Sequence, residues 1–259
     1  MRPQVVAHRG SSAENAEHTL GAYVAALEQG AEALECDVRL TADGHLVCVH
    51  DRDLRRTASK RGLVSTMNLA DLDELDFASW KNPWADLDDE APDRDGSLDG
   101  VLTLERLLTM VESLDRRVEV AIETKHPTRY GGLVERKLVE MLAEFDWHRP
   151  GSPVRVMSFS HTALQRVQRL APGLPLVMLM DNAHSWPMTK AVLGDDWMLG
   201  PGIKELTEHP KFAKKLRRTG RPIHVWTVNT DEQLQLCLDL GVAAVITDRP
   251  AYMLEQLDR

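Results

Sequence analysis

The chain is expected to fold as an α/β (β/α)₈ TIM barrel with an excursion after the second strand. Apolar runs of four to six residues alternate with amphipathic stretches along its whole length, the pattern of repeated βα units. Eight such pairs fit within 259 residues, the size of a closed barrel rather than an open doubly wound sheet. "GAEALECDV" and "GVAAVITDRP" also open alike, with a glycine, a small residue and an apolar strand, although no cleaner internal repeat is present.

In chain order the strand candidates are "QVVA", "ALECDV", "VEVAIE", "VRVMSF", "LVMLM", "WMLG", "HVWTV" and "AVIT". Helices are expected over 19–29, 104–114, 133–145, 162–170, 187–193, 210–218, 231–240 and from 250 to the C-terminus. Residues 52–100 break the rhythm. "HLVCVHD" leads into this segment, "WKNPW" follows, and it closes on the acidic "DLDDEAPDRDGSLDG". It reads as an insertion within a single catalytic domain spanning 1–259, and the acidic run as a solvated loop. Trp80 and Trp84, flanking Asn-Pro, are expected to form the small core of that excursion rather than a substrate mouth.

Composition narrows the function. A net charge of −9, from 31 Lys+Arg against 40 Asp+Glu, leaves no basic surplus for nucleic acid or an anionic membrane surface. Cys36, Cys48 and Cys237 lie inside apolar runs and read as reduced, buried thiols. The first strand starts by Gln4 with no leader pattern before it, and no run reaches the roughly 18 apolar residues of a membrane span. A soluble, cytoplasmic protein is expected.

A barrel of this kind places its chemistry at the C-terminal ends of the strands. Those ends offer His8 and Arg9, Glu35 and Asp37, His50 and Asp51, Glu123 and Lys125, Ser158, Trp226 and Asp248. Residues two apart on a strand share a face, so Glu35 and Asp37 look one way while Leu34, Cys36 and Val38 look the other. Glu123 and Lys125 repeat the spacing on the next strand. Three carboxylates gathered in a partly buried mouth repel one another unless a cation holds them. Oxygen donors favour Mg²⁺ or Ca²⁺; zinc, bound by His8 and His50 with a carboxylate, is the rival. Both histidines end apolar runs at the same rim, and imidazole suits general acid and base work near neutral pH. Other histidines, His126, His148 and His209 among them, stand in polar contexts that ask for no function. Arg9 beside a metal would bind phosphoryl oxygens in bidentate fashion, which suits a phosphate ester.

"AHRG", "GAEALECDVRLTADGHLVCVHD", "VEVAIETK", "VWTVNT" and "AVITDRP" together resemble the glycerophosphodiester phosphodiesterase family, and the resemblance spans residues 5–250. It implies a (β/α)₈ barrel with a divalent cation, Mg²⁺ or Ca²⁺, that splits a small-molecule glycerophosphodiester into glycerol 3-phosphate and an alcohol. Carried over by position, it makes Glu35, Asp37 and Glu123 the metal ligands and His8 and His50 the acid/base pair. Arg9 and Lys125 go to the phosphate, Trp226 to a wall of the substrate pocket, and Glu17 to a place near the metal. His18 departs from the family's usual asparagine, and Glu14–Asn15 competes with Glu17 for the match. The attacking group is either water or the glycerol 2-hydroxyl. An idle barrel that only binds the diester, or a partner, is the alternative from another class. A lysophospholipase D of the same chemistry would need an exposed apolar rim.

Overall fold

The computed structural model describes residues 2–82, 84 and 96–259. Most of the acidic run expected as a solvated loop, residues 86–95 of it, lies outside the described residues. The strands are β1 (Gln4–His8), β2 (Ala33–Leu40), β3 (Leu46–Cys48), β4 (Glu119–Thr124), β5 (Val154–Ser158), β6 (Leu176–Met180), β7 (Met198–Pro201), β8 (His224–Val225) and β9 (Ala244–Thr247). All but β3 run parallel, in the spatial order β7-β6-β5-β4-β2-β1-β9-β8. Parallel bridges Leu199↔Ile223 and Gly202↔Trp226 join β7 to β8 and bring the two ends of the sheet together. β3 pairs antiparallel with the outer end of β2, with Val38 opposite Cys48.

The helices are α1 (Leu20–Glu28), α2 (Arg55–Ala58), α3 (Leu69–Asp73), α4 (Gly96–Asp99), α5 (Leu104–Glu112), α6 (Leu133–Glu144), α7 (His161–Leu170), α8 (Trp186–Val192), α9 (Ile203–Glu208), α10 (Pro210–Arg217), α11 (Asp231–Leu240) and α12 (Pro250–Leu257). Side-chain caps fix several starts. Thr19 accepts a hydrogen bond from the Ala22 N–H ahead of α1, and Thr230 with Gln233 forms a capping box ahead of α11. Four helices, α2, α3, α4 and α9, were not expected from the sequence, because runs of four to six residues show too little of a 3.6-residue period.

The alternation along the strands separates two cores. Leu34, Cys36, Val38, Val120 and Ile122 point outward and pack with Leu104, Leu108 and Leu138 of the helices. Burying a leucine of this kind fully contributes roughly 2 kcal/mol before the entropy of ordering it is charged. Val6, Ala33, Ala121, Met157, Val177, Leu179, Ala244 and Ile246 fill the barrel interior. That apolar plug forms a floor, and the next inward positions on β1, β2 and β4 are His8, Glu35, Asp37 and Glu123. All three cysteines are free and buried, as expected.

The segment between β3 and α5 has a small core of its own, where Leu54, Val64, Leu72 and Phe77 pack on Val47, Val49 and Val101. The tryptophans divide against expectation. Trp80 is partly buried and donates its indole N–H to the Phe77 carbonyl at 2.9 Å, whereas Trp84 is 71% exposed. His126 also departs from its expected surface setting, since it pairs at 2.8 Å with Glu135, a fully buried carboxylate that Arg166 also approaches.

Candidate active site

The turn after β1 is shaped by its glycine. Gly10 has φ +86°, and a Cβ there would stand 2.6 Å from the Ala22 backbone, so the loop can lie on α1 only with no side chain at that position. Arg9, just before it, is itself in the left-handed region at φ 58°. A non-glycine residue held there costs on the order of 1 kcal/mol or more. The conformation accompanies a guanidinium whose Nε lies 3.0 Å from Asp37 and whose Nη1 donates to Glu17 at 3.1 Å.

Glu35, Asp37 and Glu123 converge. Each is buried and offers a carboxylate oxygen within 4.8 Å of the others. Asp37 is the anchored member: His18 Nε2 lies 2.9 Å away, Lys125 Nζ 2.9 Å and Arg9 Nε 3.0 Å. Burial alone would raise its carboxyl, but the Lys125 charge and the His18 hydrogen bond outweigh it and hold Asp37 well below the ordinary range. Glu35 has no such company. It accepts the Arg9 backbone N–H at 3.1 Å, and burial together with the Asp37 charge lifts its carboxyl well above the usual value. Glu123, paired with Lys125 at 2.8 Å, is nonetheless pushed up to about 8, by burial first and then by Asp37.

This donor set fits a hard divalent cation, with three oxygen ligands, two of them electrostatically undersupplied. Among the described residues it is the one group of three or more acidic, His or Cys side chains with such convergence, and neither histidine joins it. The zinc alternative loses its imidazole ligands on that geometry.

His8 and His50 face a common cavity of about 150 Å³ with Arg9, Glu35, Glu123, Lys125, Phe159 and Trp226. The Nδ1 atom of each is held by a carboxylate, His8 by Asp248 at 2.6 Å and His50 by Asp51 at 2.8 Å. Nε2 is therefore the free nitrogen on each ring. His8 Nε2 lies 4.0 Å from Glu35. Burial, with the surrounding charges, brings His50 down to about 4, so its ring is neutral near pH 7. Asp51 and Asp248 were legible as strand-end residues, but their role as partners of the histidines was missed. An acid right after a strand-terminal His was the available signal for Asp51; nothing local links Asp248 to a residue 240 positions away.

The other expected positions are placed as follows. Trp226 walls the cavity, donates its indole N–H to Gly200 at 2.8 Å and meets Phe159 edge-on at 5.5 Å. Glu17 points at Arg9 and at Arg56 of α2; their cations outweigh burial and bring its carboxyl down to about 2. Its rival Glu14 accepts from Gln29 instead. Ser158 is fully buried, with its hydroxyl donated to the Thr124 carbonyl, and serves packing. His18, the departure from the family pattern, is buried between Asp37 and the Tyr23 hydroxyl.

A larger cavity of about 650 Å³ adjoins the first and shares His50, Glu123, Lys125, Phe159 and Leu179 with it. Its lining includes Arg39, Arg52 and His161 together with Met178, Met180 and Met188. Phe159, Met188 and Val192 are exposed at its lip, at 38%, 78% and 39%, so an apolar rim is present after all. It comes from α8 and the residue after β5.

Residues 8–252 match the sequence profile of the Glycerophosphoryl diester phosphodiesterase family. The chain belongs to that family. It is 44% identical over 252 residues to a probable glycerophosphodiester phosphodiesterase 1 of Mycobacterium tuberculosis, covering 96% of this chain and 90% of that protein. With a glycerophosphodiester phosphodiesterase of Bacillus subtilis it shares 34% over 250 residues, 95% of this chain and 83% of the relative. Its fold matches a phosphodiesterase from Oleispira antarctica, solved in complex with the product sn-glycerol-3-phosphate, at a TM-score of 0.81 and 24% identity over 99% and 97% of the two chains. Within the glycerophosphoryl diester phosphodiesterase family, then, this chain carries the carboxylate trio, both histidine–carboxylate pairs and Arg9 in one mouth. No helix among the described residues is long and apolar enough to cross a membrane.

Proposed function

We propose that the protein hydrolyses glycerophosphodiesters to glycerol 3-phosphate and an alcohol, with a divalent cation at Glu35, Asp37 and Glu123 and with His8 and His50 as the acid/base pair. The observation that carries this reading is the shared cavity, where two carboxylate-held imidazoles, a guanidinium, Glu35 and Glu123 converge, with Asp37 completing the buried carboxylate trio. The whole chain acts as one catalytic domain, and residues 52–100 are an insertion within it.

When bound, the cation neutralises charge on the phosphoryl oxygens and so lowers the barrier to attack. Arg9 presents a planar fork to those oxygens, positioned by its ion pairs with Asp37 and Glu17. Lys125, between Asp37 and Glu123, adds a second positive group. His50, neutral near pH 7, is suited to take the proton of the attacking hydroxyl at Nε2. His8 then delivers a proton from Nε2 to the departing alkoxide, while Asp248 on Nδ1 orients the ring and balances its charge. Trp226 and Phe159 close the apolar side of the pocket against water.

The apolar rim at Phe159, Met188 and Val192 favours a second reading, cleavage of a lysophospholipid by the same chemistry. One assay separates them. Release of glycerol 3-phosphate from glycerophosphocholine, glycerophosphoethanolamine and glycerophosphoglycerol is measured beside release of lysophosphatidate from lysophosphatidylcholine, each with Mg²⁺, with Ca²⁺ and with chelator. Turnover of the water-soluble diesters that chelation abolishes is expected. Turnover confined to the lysolipid would install the second reading, and none on any substrate would leave a binding barrel.

A further inference from the structure

One side chain from the segment between β3 and α5 links the start of that segment to the loop after β1. Arg56, on α2, donates from Nη1 and Nη2 to the two oxygens of Glu17 at 2.8 and 2.7 Å, and from Nε to Asp51 at 2.7 Å. Glu17 is the carboxylate that holds Arg9, and Asp51 is the carboxylate that holds His50. A single guanidinium therefore joins the group expected at the phosphate to the group expected to move a proton.

We propose that Arg56 is a positioning residue: it fixes Arg9 through Glu17 and His50 through Asp51, so that the segment outside the barrel sets the geometry within it. This rests on the hydrolase reading above. The fork is used fully, Nε on one carboxylate and both terminal nitrogens on the other, which an ammonium cannot reproduce. Arg56 is 41% exposed, so its ion pairs add little to global stability and their consequence is directional. The Trp80 ring lies 5.4 Å from the Arg56 guanidinium carbon and 5.9 Å from Lys81 Nζ, and so stands beside both cations. Lys81 in turn donates to the Ser12 carbonyl at 2.7 Å, and Ser12 donates to the His8 carbonyl and contacts Asp248. The same patch thus also braces the loop after β1, which follows the other histidine and contacts its partner.

Kinetics of Arg56→Ala, Arg56→Lys, Glu17→Gln and the Arg56→Ala/Glu17→Gln pair test this, together with calorimetric binding of inorganic phosphate in the presence of Mg²⁺. Misplacement by about 1 Å can cost 10²-fold, so Arg56→Ala should lower kcat by about that factor with its melting temperature little changed. Arg56→Lys should recover only part of the loss, and added guanidinium ion should restore some of the alanine variant's rate. The double variant should lose less than the sum of the two single losses, because Arg56 and Glu17 share the path to Arg9. Phosphate should bind Arg56→Ala several-fold more weakly than wild type. Should Arg56→Ala prove unfolded, Arg56→Lys decides, since a folded lysine variant with wild-type kcat overturns the proposal. Wild-type kcat in the alanine variant, additive losses in the double variant, or unchanged phosphate affinity would overturn it as well. A wild-type protein inert toward every diester defeats the hydrolase reading instead, and the phosphate comparison still decides the placement of Arg9.

Discussion

Replacing Asp248 by asparagine keeps the shape of the group facing His8 and removes its charge. In the folded protein burial alone would raise the Asp248 carboxyl. Hydrogen bonds with His8, Asn229 and Ser12, with the His8 charge, outweigh it and bring the group from 3.8 to about 2. At about 1.4 kcal/mol for each tenfold change, that depression corresponds to roughly 2 kcal/mol in favour of the carboxylate. The side chain is 31% exposed and the sum is shared with Asn229 and Ser12, so solvent and neighbours make this a ceiling on what His8 receives. If the charge on His8 during proton transfer draws on that stabilisation, Asp248→Asn should lower kcat by about 10-fold to 30-fold on a glycerophosphodiester. KM should move far less. The sign with pH follows from a depressed carboxyl. Its contribution to folding is present above pH 3.8 and is lost as the pH falls through about 2, so the melting-temperature gap between wild type and variant should be full at pH 5 and shrink toward pH 2. A kcat within threefold of wild type would refute the catalytic role of the pair, and a gap independent of pH would refute the electrostatic account.

Glu35→Gln, Asp37→Asn and Glu123→Gln, like chelation of the wild type, should abolish most turnover while leaving folded protein, and activity surviving exhaustive chelation would remove the metal. The metal-free melting temperatures should split: Glu35→Gln should raise it by removing a carboxyl whose charge burial and Asp37 oppose, and Asp37→Asn should lower it, because Asp37 is the counter-ion of Arg9 and Lys125 and hydrogen-bonds His18. Since Glu123 sits at about 8, it holds a proton near pH 7 in the absence of metal, and the raised Glu35 acts in the same direction, so Mg²⁺ binding should release protons and tighten from pH 6 to 8. Calorimetry in two buffers of different ionisation enthalpy reads that release, and none at pH 7 would contradict it. His8→Ala and His50→Ala should each cost 10²-fold to 10⁴-fold on a natural diester, and with a nitrophenyl leaving group the His8 variant should recover while the His50 variant does not. Loss of bound metal in step with activity in both variants would make the histidines ligands instead.

The sequence by itself determined the layered barrel and the identity of its reactive side chains. Period two on β2 separates Glu35 and Asp37 from Leu34, Cys36 and Val38 whatever the rest of the chain does, and apolar strands ending in charged residues must place those charges at a rim. Tertiary structure alone decided the partners. Asp248 reaches His8 only because β9 lies beside β1 in the closed sheet, and Arg56 reaches Glu17 only because the segment after β3 folds back over the first loop. The same proximity sets the chemistry. Equal carboxyls in the sequence become an anchored Asp37 and a raised Glu35 and Glu123, because cations and burial are distributed in three dimensions and not along the chain. Local period encodes which way a residue faces; which charge it meets there depends on how the barrel closes.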